Sequence, residues 1–143
     1  MRRSLRIPEQ QLRKYQQRYD NSADLKLEHI RREAMLVKRL TVEQLYEIAL
    51  WKSRRRAELT KNNPNAFVRE ITSFSFASKY EESRMGSLLL LQGVQHPTAS
   101  VILHFCVDAS YPILDFRAIW GLGLTQPIRY TINYWVNYIV APE

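Results

Sequence analysis

Apolar residues recur along this chain at intervals of three and four, with no convincing strand-like alternation. Leu25, Leu27, Ile30, Ala34, Leu36 and Val37 form a stripe with charges between them, which predicts a helix over Leu25 to Arg39. Thr41-Val-Glu-Gln44 then reads as a capping box, with Thr41 at the cap and Gln44 at the third helical position. The helix it opens is expected to bury Leu45, Ile48, Ala49 and Trp51. Asn62-Asn-Pro-Asn65 is a break, because turn formers surround a proline. A short helix should follow it, with Phe67, Val68, Ile71 and Phe74 inward. Ser73-Phe-Ser-Phe76 alternates as a strand does, but four residues without a partner carry no sheet.

The second half of the chain is also helical in pattern. A helix over Glu81 to Leu91 leads into a turn at Gln92–His96, and a second apolar helix runs from Pro97 to Val107. Pro97 suits a first helical turn, where its missing N–H costs nothing. Gln126-Pro-Ile-Arg129 opens a last aromatic helix through Tyr130, Tyr134, Trp135 and Tyr138. For these aromatics core packing is the plain reading and base stacking the alternative. Residues 1–22 are basic and glutamine-rich and read as an N-terminal arm ahead of a helical domain over 23–143. The fold class predicted is all-α.

Composition narrows the picture. At 143 residues and 45% hydrophobic content the chain supports one ordinary domain with a packed core. A single cysteine, Cys106, leaves no internal disulfide and no all-cysteine metal or iron–sulfur site, and reads as a small buried residue. His29, His96 and His104 lack metal-ligand spacing, so neither a metal nor another cofactor is expected. Residues 1–61 carry 16 Lys/Arg against 8 Asp/Glu, whereas residues 62–143 carry 5 against 6. That asymmetry fits a polyanionic partner, or else solvated helix faces with a basic tail. No apolar run approaches the ~20 residues of a membrane span. Met1-Arg-Arg-Ser-Leu-Arg leads into polar residues rather than a signal-peptide core, and a cytoplasmic protein is expected.

Two places invite chemistry. Gly93 permits a turn that other residues resist, and the amides near Gly93–Thr98 lie at a helix start, where an anion is favoured. The turn is either a plain connection or a cradle for a phosphate. His96 sits on it, while His104 lies in an apolar helix and reads as a satisfied interior histidine. Asp115 follows Pro112 and precedes Phe116-Arg-Ala-Ile-Trp120, where it is either a helix cap or a carboxylate facing a cleft. An ionised carboxylate there can stabilise positive charge on a sugar or orient a water, as cleavage of a glycosidic bond requires. Lys52, Arg54, Arg55 and Arg56 beside Trp51 either grip phosphates or form a solvated helix end over a core tryptophan.

Taken together, Leu91-Gln-Gly-Val-Gln-His-Pro-Thr-Ala99 and Pro112-Ile-Leu-Asp115 resemble the helix-hairpin-helix, Gly/Pro-rich loop and aspartate motif of the DNA glycosylase superfamily. That family typically shows Leu-Pro-Gly-Val-Gly, then Thr-Ala opening a helix, then an apolar residue before its catalytic aspartate. The spacing to Asp115 is that of the endonuclease III and adenine glycosylase branches, and the likeness covers about residues 81–123, with the hairpin over 81–107 and the Asp-bearing helix start over 112–123. The resemblance implies a monofunctional glycosylase of base-excision repair with double-stranded DNA as partner. Gly93, Val94, Gln95, His96 and Thr98 would hold the DNA phosphate and Asp115 would be catalytic. The lysine of bifunctional members falls at Pro97, which has no amine, so no strand-cleaving lyase action is implied. Gln95 stands in place of the second hairpin glycine and Gln92 in place of the proline. Only 28 residues follow Asp115, where the family continues with further helices, so the ending Asn137–Glu143 reads as a helix cut short. A non-catalytic DNA-binding module and a helical protein-interaction domain are the rival readings.

Overall fold

In the computed structural model, which describes residues 25–114 and 131–139, all regular structure among the described residues is helical. The helices are α1 (Leu25–Val37), α2 (Val42–Lys52), α3 (Arg54–Thr60), α4 (Asn65–Ala77), α5 (Glu81–Leu88), α6 (His96–Cys106) and α7 (Ile132–Ile139). The arm over 1–22, the segment 115–123 with Asp115, and Tyr130 lie outside the described residues. No described helix is long and apolar enough to cross a membrane.

The capping box at Thr41 is formed. The Gln44 N–H donates to Thr41 Oγ1 at 3.2 Å, and the Thr41 N–H donates to Gln44 Oε1 at 2.9 Å. Pro97 occupies the first turn of α6. Elsewhere the buried stripes are narrower than the periodicity predicts. In α1 only Leu27, Ile30 and Ala34 are buried, because spacings of three and four keep them on one face. Leu25 and Leu36 fall off that face and are exposed, and Val37, on the face but at the last position of the helix, is exposed as well. In α4, Val68 and Ile71 are buried, but Phe74 is 56% exposed, a correction to the expectation that it packs inward. The strand-like Ser73–Phe76 lies inside α4.

Two boundaries moved for local reasons. Ser53, in an extended conformation, divides the basic stretch after Trp51 and starts α3, a helix the hydrophobic pattern does not announce. The helix expected to reach Leu91 ends at Leu88, and its last residues tighten into three-residue bonds, with the Leu91 N–H on the Leu88 carbonyl at 3.1 Å.

The centre of the fold is α6. Thr98 through His104 and Cys106 are all buried, and α1, α2 and α5 pack around it. One cluster of buried side chains runs from Leu27 on α1 to Trp135 and Ile139 on α7. Cys106 belongs to it, and burial pushes its thiol pKa up to about 12, so it is protonated and inert. Between α1 and α2, Lys38 adopts the left-handed conformation (φ 63°) and its N–H closes on the Ala34 carbonyl at 2.7 Å. The buried Leu40 N–H then donates to Thr72 Oγ1 at 2.9 Å, fixing this turn to α4.

A lysine in the left-handed region is strained where glycine is not. Lys38→Gly is therefore expected to raise stability by about 0.5–1 kcal/mol, seen as a melting temperature a few degrees higher. A lower melting temperature would contradict this account of the turn.

Candidate functional site

The hairpin between α5 and α6 is held by two buried anchors, Leu91 and Val94, on either side of Gly93. Gly93 has φ 82°, which a side chain disfavours. A Cβ there would also stand 2.8 Å from Thr60 Cγ2 and 2.9 Å from the Thr60 backbone nitrogen. Glycine is thus required both by the turn and by the close approach of the α3 end. The buried Asn63 locks this approach. Its Nδ2 donates to the Thr60 carbonyl at 2.9 Å and to the Gln92 carbonyl at 3.0 Å, and its Oδ1 accepts from the Gln92 N–H at 2.9 Å.

This geometry sorts the residues assigned to a phosphate. The side chains of Val94 and Thr98 are turned into the protein, and one face of Gly93 meets Thr60 rather than solvent. Gln95 is exposed and provides no side-chain cap for α6. His96 is half-buried, and desolvation lowers its pKa below 6.5, so near neutral pH it is an uncharged imidazole. An anion at the hairpin would therefore meet backbone dipoles, Gln95 and a neutral ring.

Beyond α6 the chain doubles back along it. Ser100 and His104, four residues apart on one face of α6, each hold a rung of the returning segment. His104 Nδ1 lies 2.8 Å from the Tyr111 carbonyl, and Ser100 Oγ accepts from the Leu114 N–H at 2.8 Å. The Ser100 hydroxyl itself donates to the Pro97 carbonyl at 2.6 Å. His104 is thus the satisfied interior histidine expected. The segment starts with a turn in which Asp108 Oδ1 accepts from the Ser110 N–H at 2.8 Å. It travels from the C-terminal end of α6 toward its N-terminal end and finishes at Leu114, which is fully buried.

Tyr111 pins the same segment from its other side. Its ring stacks on Trp135 at 5.9 Å between centroids. Its hydroxyl donates to the Glu81 carboxylate at 2.7 Å and accepts from Arg84 Nη1 at 2.7 Å. Arg84 also bonds to the carbonyls of Ser75 (3.2 Å) and Ser78, closing the end of α4. Asp115, the next residue after Leu114, lies outside the described residues. Ser100, Arg84, Tyr111 and Asn63 were not singled out from the sequence. The available signal was Ser100 and His104 at helical spacing within an apolar run.

The basic cluster straddles a helix break. Lys52 closes α2, where the helix dipole favours a cation. Arg54, Arg55 and Arg56 form the first turn of α3, where the dipole disfavours them and no acidic residue compensates. Arg54 and Arg55 are exposed, while Lys52 and Arg56 are half-buried. Trp51 packs edge-on against Phe105 at 5.4 Å, so a packed tryptophan and solvent-facing arginines coexist. The other end of α3 carries Leu59 and Thr60 against Gly93. Cluster and hairpin thus sit at opposite ends of one helix about 10 Å long.

Gly93→Ala should cost more than about 2 kcal/mol in urea unfolding, since strain and a clash with backbone combine. Ser100→Ala should cost about 1–3 kcal/mol, because it leaves the buried Leu114 N–H without its acceptor. Wild-type stability in either variant would refute the corresponding contact. Comparison with family models, with curated proteins and with solved structures finds no match to this chain.

Proposed function

We propose that the chain is a DNA-binding protein of the helix-hairpin-helix glycosylase type, hydrolysing the N-glycosidic bond of a damaged or mismatched base with Asp115 as its carboxylate. One observation carries this reading. The segment leading to Asp115 is laced back along α6, and its last described residue, Leu114, bonds to Ser100 about one turn from the hairpin. A hairpin for a phosphate and the attachment point of a carboxylate thereby share one helix. The ionised Asp115 stabilises the oxocarbenium-like sugar, or orients the water that adds at C1′ as the bond to the base breaks. The base must leave the duplex stack for this to happen. Pro97 offers no amine, so no Schiff base forms and the abasic strand stays intact. Arg54 and Arg55 contribute affinity that weakens with salt.

A second reading is a non-catalytic DNA-binding module, favoured by the exposed Gln95 side chain standing where a second glycine would let phosphate approach.

The test is single-turnover base release from duplexes carrying uracil, alkylated or oxidised bases. Release is expected from at least one of them, with no product trapped by borohydride. Asp115→Asn should slow it by about 100-fold or more while duplex binding is retained. Release that survives the substitution removes Asp115 from the mechanism. Salt-sensitive duplex binding with no base released from any substrate selects the non-catalytic module.

A further inference from the structure

A second cationic feature lies apart from both the hairpin and the arginine turn of α3. A cleft of about 290 Å³ is lined by Arg39, Ala66, Arg69, Glu70 and Ser73. Ala66, Arg69, Glu70 and Ser73 fall on one face of α4, at the helical spacing of three and four residues. Arg39 comes from the turn between α1 and α2. Its placement is fixed on both sides, by the left-handed Lys38 before it and by the buried Leu40, bonded to Thr72, after it. A strained residue and a buried hydrogen bond together hold the half-buried Arg39 over α4.

Among the described residues neither the Arg39 nor the Arg69 guanidinium makes an ion pair or hydrogen bond, although Lys26, Arg31 and Lys61 each find a carboxylate. Glu70 lines the same cleft and pairs with neither arginine. Two guanidinium groups, one carboxylate and a hydroxyl leave the cleft positive, with donors from separate elements facing one space. Planar guanidinium forks suit the oxygens of a phosphate, and a serine hydroxyl adds a donor.

The cleft also lies near the hairpin in the fold. Asn63, which staples Gln92, is followed after one residue by Asn65, the first residue of α4, and Asn65 Oδ1 accepts from the Val42 N–H at 2.9 Å. Arg69 lies about 6 Å further along α4. A DNA strand presents a phosphate about every 3.4 Å of axis. We infer that the Arg39–Arg69–Ser73 cleft holds a phosphate of the DNA backbone, a few nucleotides from the one at the hairpin. This rests on the proposed DNA-binding function and adds to it a contact that reads no base.

The test compares wild type with Arg39→Gln/Arg69→Gln in two measurements. The first is the slope of log K against log salt for an undamaged duplex. Loss of one phosphate contact should make it shallower by about 0.9. The second is the rise in melting temperature produced by inorganic phosphate over chloride at matched ionic strength, expected to be larger in the wild type than in the variant, which keeps only the general stabilisation that phosphate gives any folded protein. Both side chains reach solvent, so the variant should melt as the wild type does in chloride. An unchanged slope together with an unchanged phosphate effect overturns the cleft. If the wild type binds no duplex at any salt, the DNA-binding function itself fails. A phosphate effect reduced in the variant then still supports an oxyanion site, and an equal effect in both proteins removes that site too.

Discussion

A polar side chain buried in an apolar helix must find a partner, and in this protein two such side chains organise the far end of the fold. Ser100 and His104 sit in α6, the most buried helix described, where an unmet hydroxyl or ring nitrogen would each cost about 1–3 kcal/mol. Both are met by backbone groups of the segment that follows α6. With the chain turning at Asp108–Ser110, His104 meets Tyr111 first and Ser100 meets Leu114 next, so the segment runs antiparallel to the helix. The path of residues 108–114 is therefore fixed by these two polar positions together with the burial of Tyr111, Ile113 and Leu114. Tyr111 adds a second constraint, since its hydroxyl joins Glu81 and Arg84 while its ring stacks on Trp135. The segment is thus tied at once to α5, α6 and α7, and through Arg84 to the end of α4.

The hairpin end depends on a different device. Here the contact is backbone against backbone, with Gly93 over Thr60, and the amide of Asn63 bridges the two chains. An asparagine suits that place because it offers a donor and an acceptor in one plane. Its donor serves two carbonyls and its acceptor one N–H, so the Asn63 side-chain amide pairs with both backbone groups of Gln92 and ties the connection between α3 and α4 to the hairpin. The seven residues of α3 then act as a strut between the hairpin and the arginine turn. Those arginines oppose the helix dipole, and nothing in the local packing requires their charge.

Much of this was legible in the sequence, and the remainder fails for identifiable reasons. The capping box at Thr41, the break at Asn62–Asn65 and Pro97 in a first turn are local signals, set by hydrogen bonds within a few residues, and they are found where expected. The overcounted stripes at Leu36 and Phe74 show the limit of periodicity, which finds a helix but not how much of its surface another helix covers. The helix α3 carries no periodic signal, because seven residues starting with three arginines have almost no apolar face. The glycine was noticed, but its tightest neighbour, Thr60, stands 33 positions earlier in the chain. Asn63 and Arg84 likewise act across 29 and 27 residues, a distance at which a single sequence carries no signal.

These distances bear on how the molecule could hold a polyanion. The hairpin itself is poor in charge: His96 is kept neutral by burial, and Gln92 and Gln95 are uncharged. Attraction at long range must then come from the flanks, where Arg54 and Arg55 stand at one end of α3 and Arg39 and Arg69 beyond the other. Under the proposed function, cations on the flanks would draw in and align a phosphate backbone without competing for the nucleotide that reacts. A charged hairpin would do the opposite, holding one phosphate tightly wherever it landed. If Asp115 is to stabilise a developing positive charge on the sugar, cations close by would also work against it, as like charges do in any low-dielectric site. Under the proposed function, neutral donors at the hairpin with Arg54 held about 10 Å away, at the other end of α3, would meet both demands.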